Sequence, residues 1–152
     1  MRYILSLTLI TLVAYSPIIS GNSAQHTKFA VVEPNWQKFW KPFQIAARMG
    51  KPDYLKQFMS QEFIYSISVK SGKGDQRADA FKYWSTPSLH AWDSLGKSVS
   101  FGWAKSPEYS KRFGTPSRVC PAEAADPKYS DWRAVFIQAK DKRWKWKMFI
   151  RK

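Results

Sequence analysis

The residues best placed to do chemistry lie in the segment HAWDS, where His90 precedes Asp93 by three positions. On a helix, side chains three residues apart are neighbours, so the imidazole and the carboxylate can share a hydrogen bond. A histidine oriented by a carboxylate can serve as a general base, which makes His90 and Asp93 the candidate catalytic residues. The alternative interpretation is an exposed helical pair that stabilises its helix by about a few tenths of a kcal/mol.

Motifs that would specify a reaction or a bound metal are missing from the rest of the sequence. The segment SGKGD places a lysine between glycines but lacks the spacing of a phosphate-binding loop. There is no paired-cysteine or paired-histidine zinc pattern and no G-x-S-x-G segment, so we expect neither a metal nor a cofactor. Cys120 is the only cysteine and cannot form an intramolecular disulfide. We expect its thiol to be buried, with an intermolecular bridge or a reactive thiol as the alternatives.

The chain carries 25 lysines and arginines against 11 acidic residues, a formal charge of +14. This excess predicts attraction to an anionic partner, whether nucleic acid, anionic lipid or sugar, or an acidic protein, without choosing among them. No motif specific for nucleic acid is present. The densest basic cluster, KDKRWKWK, and the end of the chain beyond it supply the candidate polyanion-binding residues: Lys142, Arg143, Lys145, Lys147 and Arg151.

Residues 1–24 have the pattern of an export signal. Arg2 gives a positive start, residues 4–14 form a short apolar run, and small residues from Ser20 to Ala24 allow cleavage. The apolar run is shorter than the roughly 20 residues of a membrane-spanning helix. We therefore expect residues 25–152 to form one exported domain, secreted or periplasmic, that is not an integral membrane protein after signal cleavage.

The elements that position these residues follow from hydrophobic periodicity, which indicates an α+β domain. The segment EPNWQKFWKPFQIAARMG has helical spacing, with Gly50 at its end and a kink or split expected at Pro42. A short helix is predicted in KPDYLKQFMSQ and a strand at residues 63–69. Two further helices are predicted in DQRADAFKYW and in STPSLHAWDSLG, and the second of these carries His90 and Asp93.

The segment KSVSFGWAK alternates and predicts a strand, with Val99, Phe101 and Trp103 on one face. The region from Ser106 to Asp131 is rich in proline, serine, alanine and charge. It predicts long loops around a short strand near residues 118–120.

The C-terminal segments DWRAVFIQAK and RWKWKMFIRK predict a β-hairpin that pairs Ile137 with Trp146 and Val135 with Met148. This register places seven side chains on one apolar surface: Val135, Ile137, Ala139, Trp144, Trp146, Met148 and Ile150. The opposite face mixes Gln138, Lys145, Lys147 and Arg151 with Trp132, Ala134, Phe136 and Phe149. That face is either a second apolar layer under a helix, covered by lysine stems, or a stacking surface for a polyanion.

The segments FWKPFQIAARMGKPDYLKQFMSQEFIYSI and WRAVFIQAKDKRWKWKMFI, in this element order, resemble the NTF2-like (SnoaL-like) superfamily. The resemblance implies N-terminal helices packed on a curved, mostly antiparallel sheet that ends in the C-terminal β-hairpin, with a pocket between helices and sheet. Candidates for lining such a pocket are Tyr65, Tyr83 and Trp103. The superfamily includes isomerases, dehydratases and non-catalytic binding modules, and fold alone does not choose among them.

Three functional hypotheses follow. The first is an exported, non-enzymatic binding module for a small apolar ligand or an anionic surface. The second is a pocket enzyme of isomerase, dehydratase or hydrolase type, which requires His90 and Asp93 to point into a cavity. The third is a secreted effector, or an inhibitor or immunity-type protein, that binds an acidic protein.

Overall fold

Helices and short strands alternate through residues 33–67 and 74–152, the part of the chain that the computed structural model describes. The α-helices are α1 (Pro34–Met49), α2 (Pro52–Lys56), α3 (Arg77–Trp84), α4 (Ala91–Ser98) and α5 (Pro107–Phe113). The strands are β1 (Met59–Ile64), β2 (Ala104–Lys105), β3 (Ser117–Cys120), β4 (Trp132–Gln138) and β5 (Trp144–Arg151). The predicted export signal at residues 1–24 lies outside the described residues.

The five strands form an open sheet in the order β1-β5-β4-β3-β2. Only β1 runs parallel to its neighbour, β5, and the other three pairings are antiparallel. The predicted α+β class and the mostly antiparallel sheet with a terminal hairpin are confirmed. None of the helices in residues 33–67 and 74–152 is long and apolar enough to cross a membrane.

Helix α1 forms over the predicted segment but without the split that is one of the two outcomes expected at Pro42, because its large apolar residues recur at helical spacing on one side. Trp36, Trp40 and Phe43 are buried, whereas Pro42 is exposed and the helix continues through it. Gly50 ends the helix in the left-handed conformation, with φ of 60°, which glycine adopts without a Cβ penalty.

Aromatic side chains from α1, α3 and the sheet form the main core. The ring of Phe43 contacts Phe136 at 4.9 Å and Trp146 at 5.1 Å between ring centroids. Trp84 stacks on Trp146 at 5.4 Å. Because a buried aromatic residue removes more apolar surface from water than any other type, these contacts dominate the attachment of the helices to the sheet.

The hairpin register is only partly as predicted. Val135 pairs with Met148 and Arg133 with Ile150, but a β-bulge follows, after which Phe136 pairs with Trp146. The extra residue in β5 moves Trp144 and Trp146 to the face that carries Phe136. The predicted single apolar surface is therefore wrong: both faces of the hairpin are buried, and Val135, Met148 and Ile150 pack in a second core with Tyr109 and Val119.

Two predicted elements around α4 are also wrong. The helix predicted in STPSLHAWDSLG is interrupted at His90, whose φ of 47° separates a 3-10 turn at Pro87–Leu89 from α4. The strand predicted in KSVSFGWAK is a 3-10 turn at Val99–Phe101 followed by the two residues of β2. The alternating pattern of this segment favours a strand, but Val99 is buried beside α1, and this packing against the helix determines the local structure.

Within the predicted loop region, β3 forms as expected but α5 was missed. Its boundary signals are present in the sequence: Ser106 accepts a hydrogen bond from the Tyr109 amide, Pro107 follows, and Gly114 is left-handed. A 3-10 turn at Ala122–Ala125 leads on towards β4. The strand predicted at residues 63–69 instead spans Met59–Ile64, and Met59 pairs with Trp146. Residues 68–69 of the prediction lie outside the described residues.

Candidate functional site

The predicted catalytic pair lies on the surface. His90 Nδ1 is 4.0 Å from Asp93 Oδ2, and the two side chains are 75% and 77% exposed. They border an open depression of about 190 Å³ beside Thr86. A general base needs to be held within hydrogen-bond reach of its substrate, and the enzyme hypothesis required both groups inside a cavity. His90 and Asp93 are therefore an exposed surface pair, with His90 directly before the first residue of α4 rather than within a helix.

The three predicted pocket-lining aromatic residues do not share one site. Tyr65 and Tyr83 lie together, with ring centroids 5.5 Å apart, and both are half-buried against the main core. Trp103 packs elsewhere, edge-on to Trp36 at 5.2 Å. The structure therefore brings two of the three together and assigns Trp103 to a packed aromatic cluster.

That cluster encloses a cation that sequence reasoning missed. Arg118 is 2% exposed, and its guanidinium carbon lies 4.0 Å from the ring centroid of Trp103, 4.7 Å from that of Trp36 and 5.1 Å from that of Trp144. Cation–π contacts of this kind are worth about 2 kcal/mol or more when desolvated. We call Arg118 and its three tryptophans the tryptophan cage.

The electrostatics of the cage follow from burial. Desolvation lowers the pKa of Arg118, and Glu33, 3.5 Å from Nη2, opposes that shift. The Nε and Nη1 atoms have no hydrogen-bond partner in the described part of the chain. The protein's own guanidinium fills the cage, so the cage is a packing element.

The predicted polyanion-binding residues separate into two groups. Lys142, Arg143 and Lys145 line a cleft of about 410 Å³ that we call the basic cleft. Lys147 instead donates to the Glu62 carbonyl at 2.6 Å, and Arg151 lies 3.5 Å from Asp131. The structure therefore concentrates three of the five cations at one site and engages the other two in surface contacts.

The floor of the basic cleft is aromatic. Phe39 from α1 and Phe58, which precedes β1, are half-buried and meet edge to face at 5.6 Å. Trp144, which begins β5, is buried beside them and also closes the tryptophan cage. Three segments distant in the sequence thus supply the apolar part of the cleft lining.

The rim of the basic cleft is polar and carries mainly positive charge. Lys38 from α1 joins Lys142, Arg143 and Lys145, and the amides of Asn35 and Gln57 complete the lining. Arg143 is neutralised by Asp141 at 2.6 Å, a contact that lowers the pKa of the Asp141 carboxyl. Within the described residues, the other three cations have no ion-pair partner, so the rim keeps a charge of about +3 at neutral pH.

The hairpin turn fixes the cationic rim. The Lys142 amide donates to the Ala139 carbonyl at 2.9 Å, and the Ala139 amide donates to the Arg143 carbonyl at 2.8 Å. The Asp141 carboxylate accepts from the Arg143 amide at 3.0 Å. Lys142 has φ of 64°, the left-handed residue expected after a tight turn in a three-residue hairpin loop.

The surroundings of the single thiol, that of Cys120, are those of a buried structural residue. Cys120 lies in β3 with no exposed surface, and burial raises its pKa well above that of a free thiol. A thiol held in the neutral form is a poor nucleophile. Within residues 33–67 and 74–152, no three His, Cys, Asp or Glu side chains are grouped to hold a metal ion.

Comparisons with protein-family models, with curated proteins and with solved structures found no match to this chain. The resemblance to the NTF2-like superfamily therefore stays a prediction. The basic cleft, with its aromatic floor and unpaired lysines, is the arrangement in the described residues best suited to bind a ligand.

Proposed function

We propose that this protein is an exported, non-enzymatic binding module whose basic cleft takes a small ligand with an apolar body and an anionic group. The observation that carries the proposal is that lysines without an ion-pair partner in the described residues line the same cleft as Phe39 and Phe58. An apolar body would cover Phe39 and Phe58, and the anionic group would lie between Lys38 and Lys145.

The size of the cleft supports a small ligand. Its volume of about 410 Å³ falls in the range of about 300–1,000 Å³ that is common for small-molecule sites. Such sites combine apolar walls with a few polar groups that fix orientation, which matches the division here between floor and rim. The alternative of binding an acidic protein has no comparable feature in its favour.

The charge of the rim supports selectivity for an anion. The three unpaired lysines come from α1, the hairpin turn and β5, so a bound anionic group meets positive charge from two sides. Each exposed ion pair contributes roughly 0.2–1 kcal/mol, so two such contacts raise affinity by about tenfold.

A matched pair of fluorescent probes tests the proposal. Anilinonaphthalene sulfonate and N-phenylnaphthylamine share an aromatic body, but only the first is anionic. We expect the sulfonate to bind about tenfold more tightly. The double variant Lys38→Gln, Lys145→Gln should remove most of this preference, since only Lys142 remains as an unpaired cation, and should leave binding of the neutral probe in place.

The control is the double variant Lys105→Gln, Lys111→Gln, which removes the same charge from exposed positions outside the cleft lining. It should keep the preference for the sulfonate. Equal affinity of the two probes for the native protein, or equal loss in both double variants, would contradict binding in the cleft.

Export is supported by the sequence pattern of residues 1–24 alone. Expression of the whole chain in a host with a secretory system, followed by mass determination of the recovered protein, tests it. We expect a mature N-terminus between residues 21 and 25 and a protein outside the cytoplasm. Recovery of the protein with Met1 or Arg2 retained in the cytoplasm would contradict export.

A further inference from the structure

The side of α1 that faces away from the core combines basic residues with exposed aliphatic ones. Lys41, Ile45, Arg48 and Met49 are exposed and recur three or four positions apart, opposite the buried tryptophans. Ile45 is 60% exposed and Met49 52% exposed. We call Lys38, Lys41, Pro42, Ile45, Arg48 and Met49 the outer face of α1.

The outer face has positive charge around an apolar centre. On a helical wheel, Ile45 lies at the middle of the exposed arc, with Met49 one turn further along and Lys41 and Arg48 at one side. The sequence of α1 contains no aspartate or glutamate. Long basic side chains beside exposed aliphatic ones are typical of helices that lie in a lipid interface.

From this arrangement we infer that the outer face of α1 docks on an anionic lipid bilayer, with Ile45 and Met49 entering the acyl boundary and the cations contacting headgroups. The helix has 16 residues, about 24 Å at 1.5 Å per residue, and can lie flat on such a surface. Each basic residue held near an anionic membrane contributes attraction, and the buried aliphatic groups add apolar transfer.

Charge distinguishes a bilayer from other occupants. Pairing with a second copy of the chain through the same face would bring Lys41 and Arg48 of each copy together, and like charges repel. Nucleic acid would be recognised by stacking aromatic residues, whereas the centre of this face is aliphatic. A lipid interface accommodates both the cations and the aliphatic centre.

A fluorophore at a single position tests this docking in the whole chain. Cys120 is buried, so an environment-sensitive dye will label an Ile45→Cys variant selectively. We expect a blue shift on addition of phosphatidylcholine vesicles that contain about a quarter phosphatidylglycerol, and a much smaller one without the anionic lipid. Raising the salt concentration should weaken the effect.

A second labelled position serves as the control. Lys111 is exposed on α5, which packs in the second core across the sheet from α1, so a dye on Lys111→Cys reports general association without insertion of α1. It should give no blue shift with the same vesicles. A shift at residue 111 as large as at residue 45, or no shift at residue 45, would overturn the proposal.

Charge reversal then tests the headgroup contacts. In the Ile45→Cys background, Lys41→Glu with Arg48→Glu should raise the lipid concentration for half the shift by at least about tenfold. The matched pair Lys82→Glu with Lys111→Glu should change it by less than about threefold. Equal effects of the two pairs would overturn the proposal. So would a shift produced by polyglutamate or by protein concentration but not by vesicles.

Discussion

Two sites in this protein combine cations with aromatic rings, and they share Trp144. In the tryptophan cage, Arg118 is sealed from solvent between three indole rings. In the basic cleft, Lys38 and Lys145 line an open cleft together with two half-buried phenylalanines, Phe39 and Phe58. The same residue types therefore form a packing element in one place and line the proposed binding cleft in the other, and the two sites differ in their access to water.

The comparison has an energetic basis. A cation that is buried permanently loses its hydration, and the surrounding rings and a partner such as Glu33 have to offset that loss in the folded protein. A cation at the rim of a cleft keeps its hydration until a ligand arrives, so it contributes little to folding. Substitutions at the cage should therefore change stability, and substitutions at the cleft should change binding.

Removal of the shared ring has the largest expected effect. Trp144 is 4% exposed and lies 4.8 Å from Trp36 between ring centroids. Trp144→Ala should lower the free energy of unfolding by about 3–5 kcal/mol, as for other large buried aromatic residues. Chemical denaturation measures the change. The half-buried Trp92, truncated to alanine, provides the control, and an equal loss there would contradict a special role for Trp144.

Substitution of the enclosed cation comes next in size. Arg118→Ala should cost about 2–4 kcal/mol because it leaves a cavity among the rings. Arg118→Met fills most of that space without a charge to desolvate, and should be about 2 kcal/mol less destabilised than the alanine variant. Equilibrium unfolding of both variants measures the difference. Equal destabilisation by methionine and alanine would show that the charge, rather than packing, holds the cage together.

The contrast between cage and cleft also explains what sequence could predict. Helix α1 and the pairing of the last two strands were predictable, because local periodicity and neighbouring segments determine them. The tryptophan cage was not predictable, because Arg118 is the only cation in its strand. The three rings around it come from α1, from β5 and from the segment that precedes β2. The cleft was predictable only at the hairpin: Lys142, Arg143 and Lys145 are close in sequence, whereas Lys38 reaches them through the tertiary fold.

The bulge in β5 shows a second limit. Pairing Val135 with Met148 was correct, yet one extra residue reversed the faces of Trp144 and Trp146. Both faces of the hairpin are buried, so its alternating pattern gave no preference for one register over the other. In contrast, α5 has capping signals at Ser106 and Gly114, so its ends were predictable although the proline- and serine-rich composition of the region favours loops.

A cation at the rim of the cleft should be removable without loss of stability. Lys142 has φ of 64°, which disfavours a side chain with a Cβ atom. Lys142→Gly should therefore leave stability unchanged or raise it by up to about 1 kcal/mol while reducing sulfonate binding. Lys140→Gly, in the same turn but with ordinary φ and outside the cleft lining, is the control. If Lys142→Gly destabilised the protein more than Lys140→Gly does, the cations at the rim of the cleft would contribute to stability, contrary to the contrast drawn between cleft and cage.

The smallest expected effect is a pH dependence that arises from the ion pair of Asp141 and Arg143 at the rim of the cleft. The side-chain hydrogen bond from Arg143 lowers the pKa of Asp141, and the Arg143 amide and the charges of Arg143 and Lys145 lower it further. Because the folded pKa is below the unfolded one, this contact stabilises the protein above the unfolded pKa, and that stability is lost as pH falls through the folded pKa. Below it, Asp141 is neutral and the net positive charge of the rim increases.

Affinity of the cleft for a sulfonate, which stays ionised in acid, should therefore rise as Asp141 takes up its proton. Carboxyl NMR of the native protein should place that midpoint below the ordinary range for aspartate, and Arg143→Gln should move it upward. Lys140→Gln, which removes a neighbouring charge that makes no contact with Asp141, should leave it in place. If Arg143→Gln left the titration midpoint of Asp141 unchanged, the carboxylate would be solvated independently of Arg143. Arg143 would then be a fourth unpaired cation on the rim, and the cleft would attract anions more strongly than the contact between the two side chains implies.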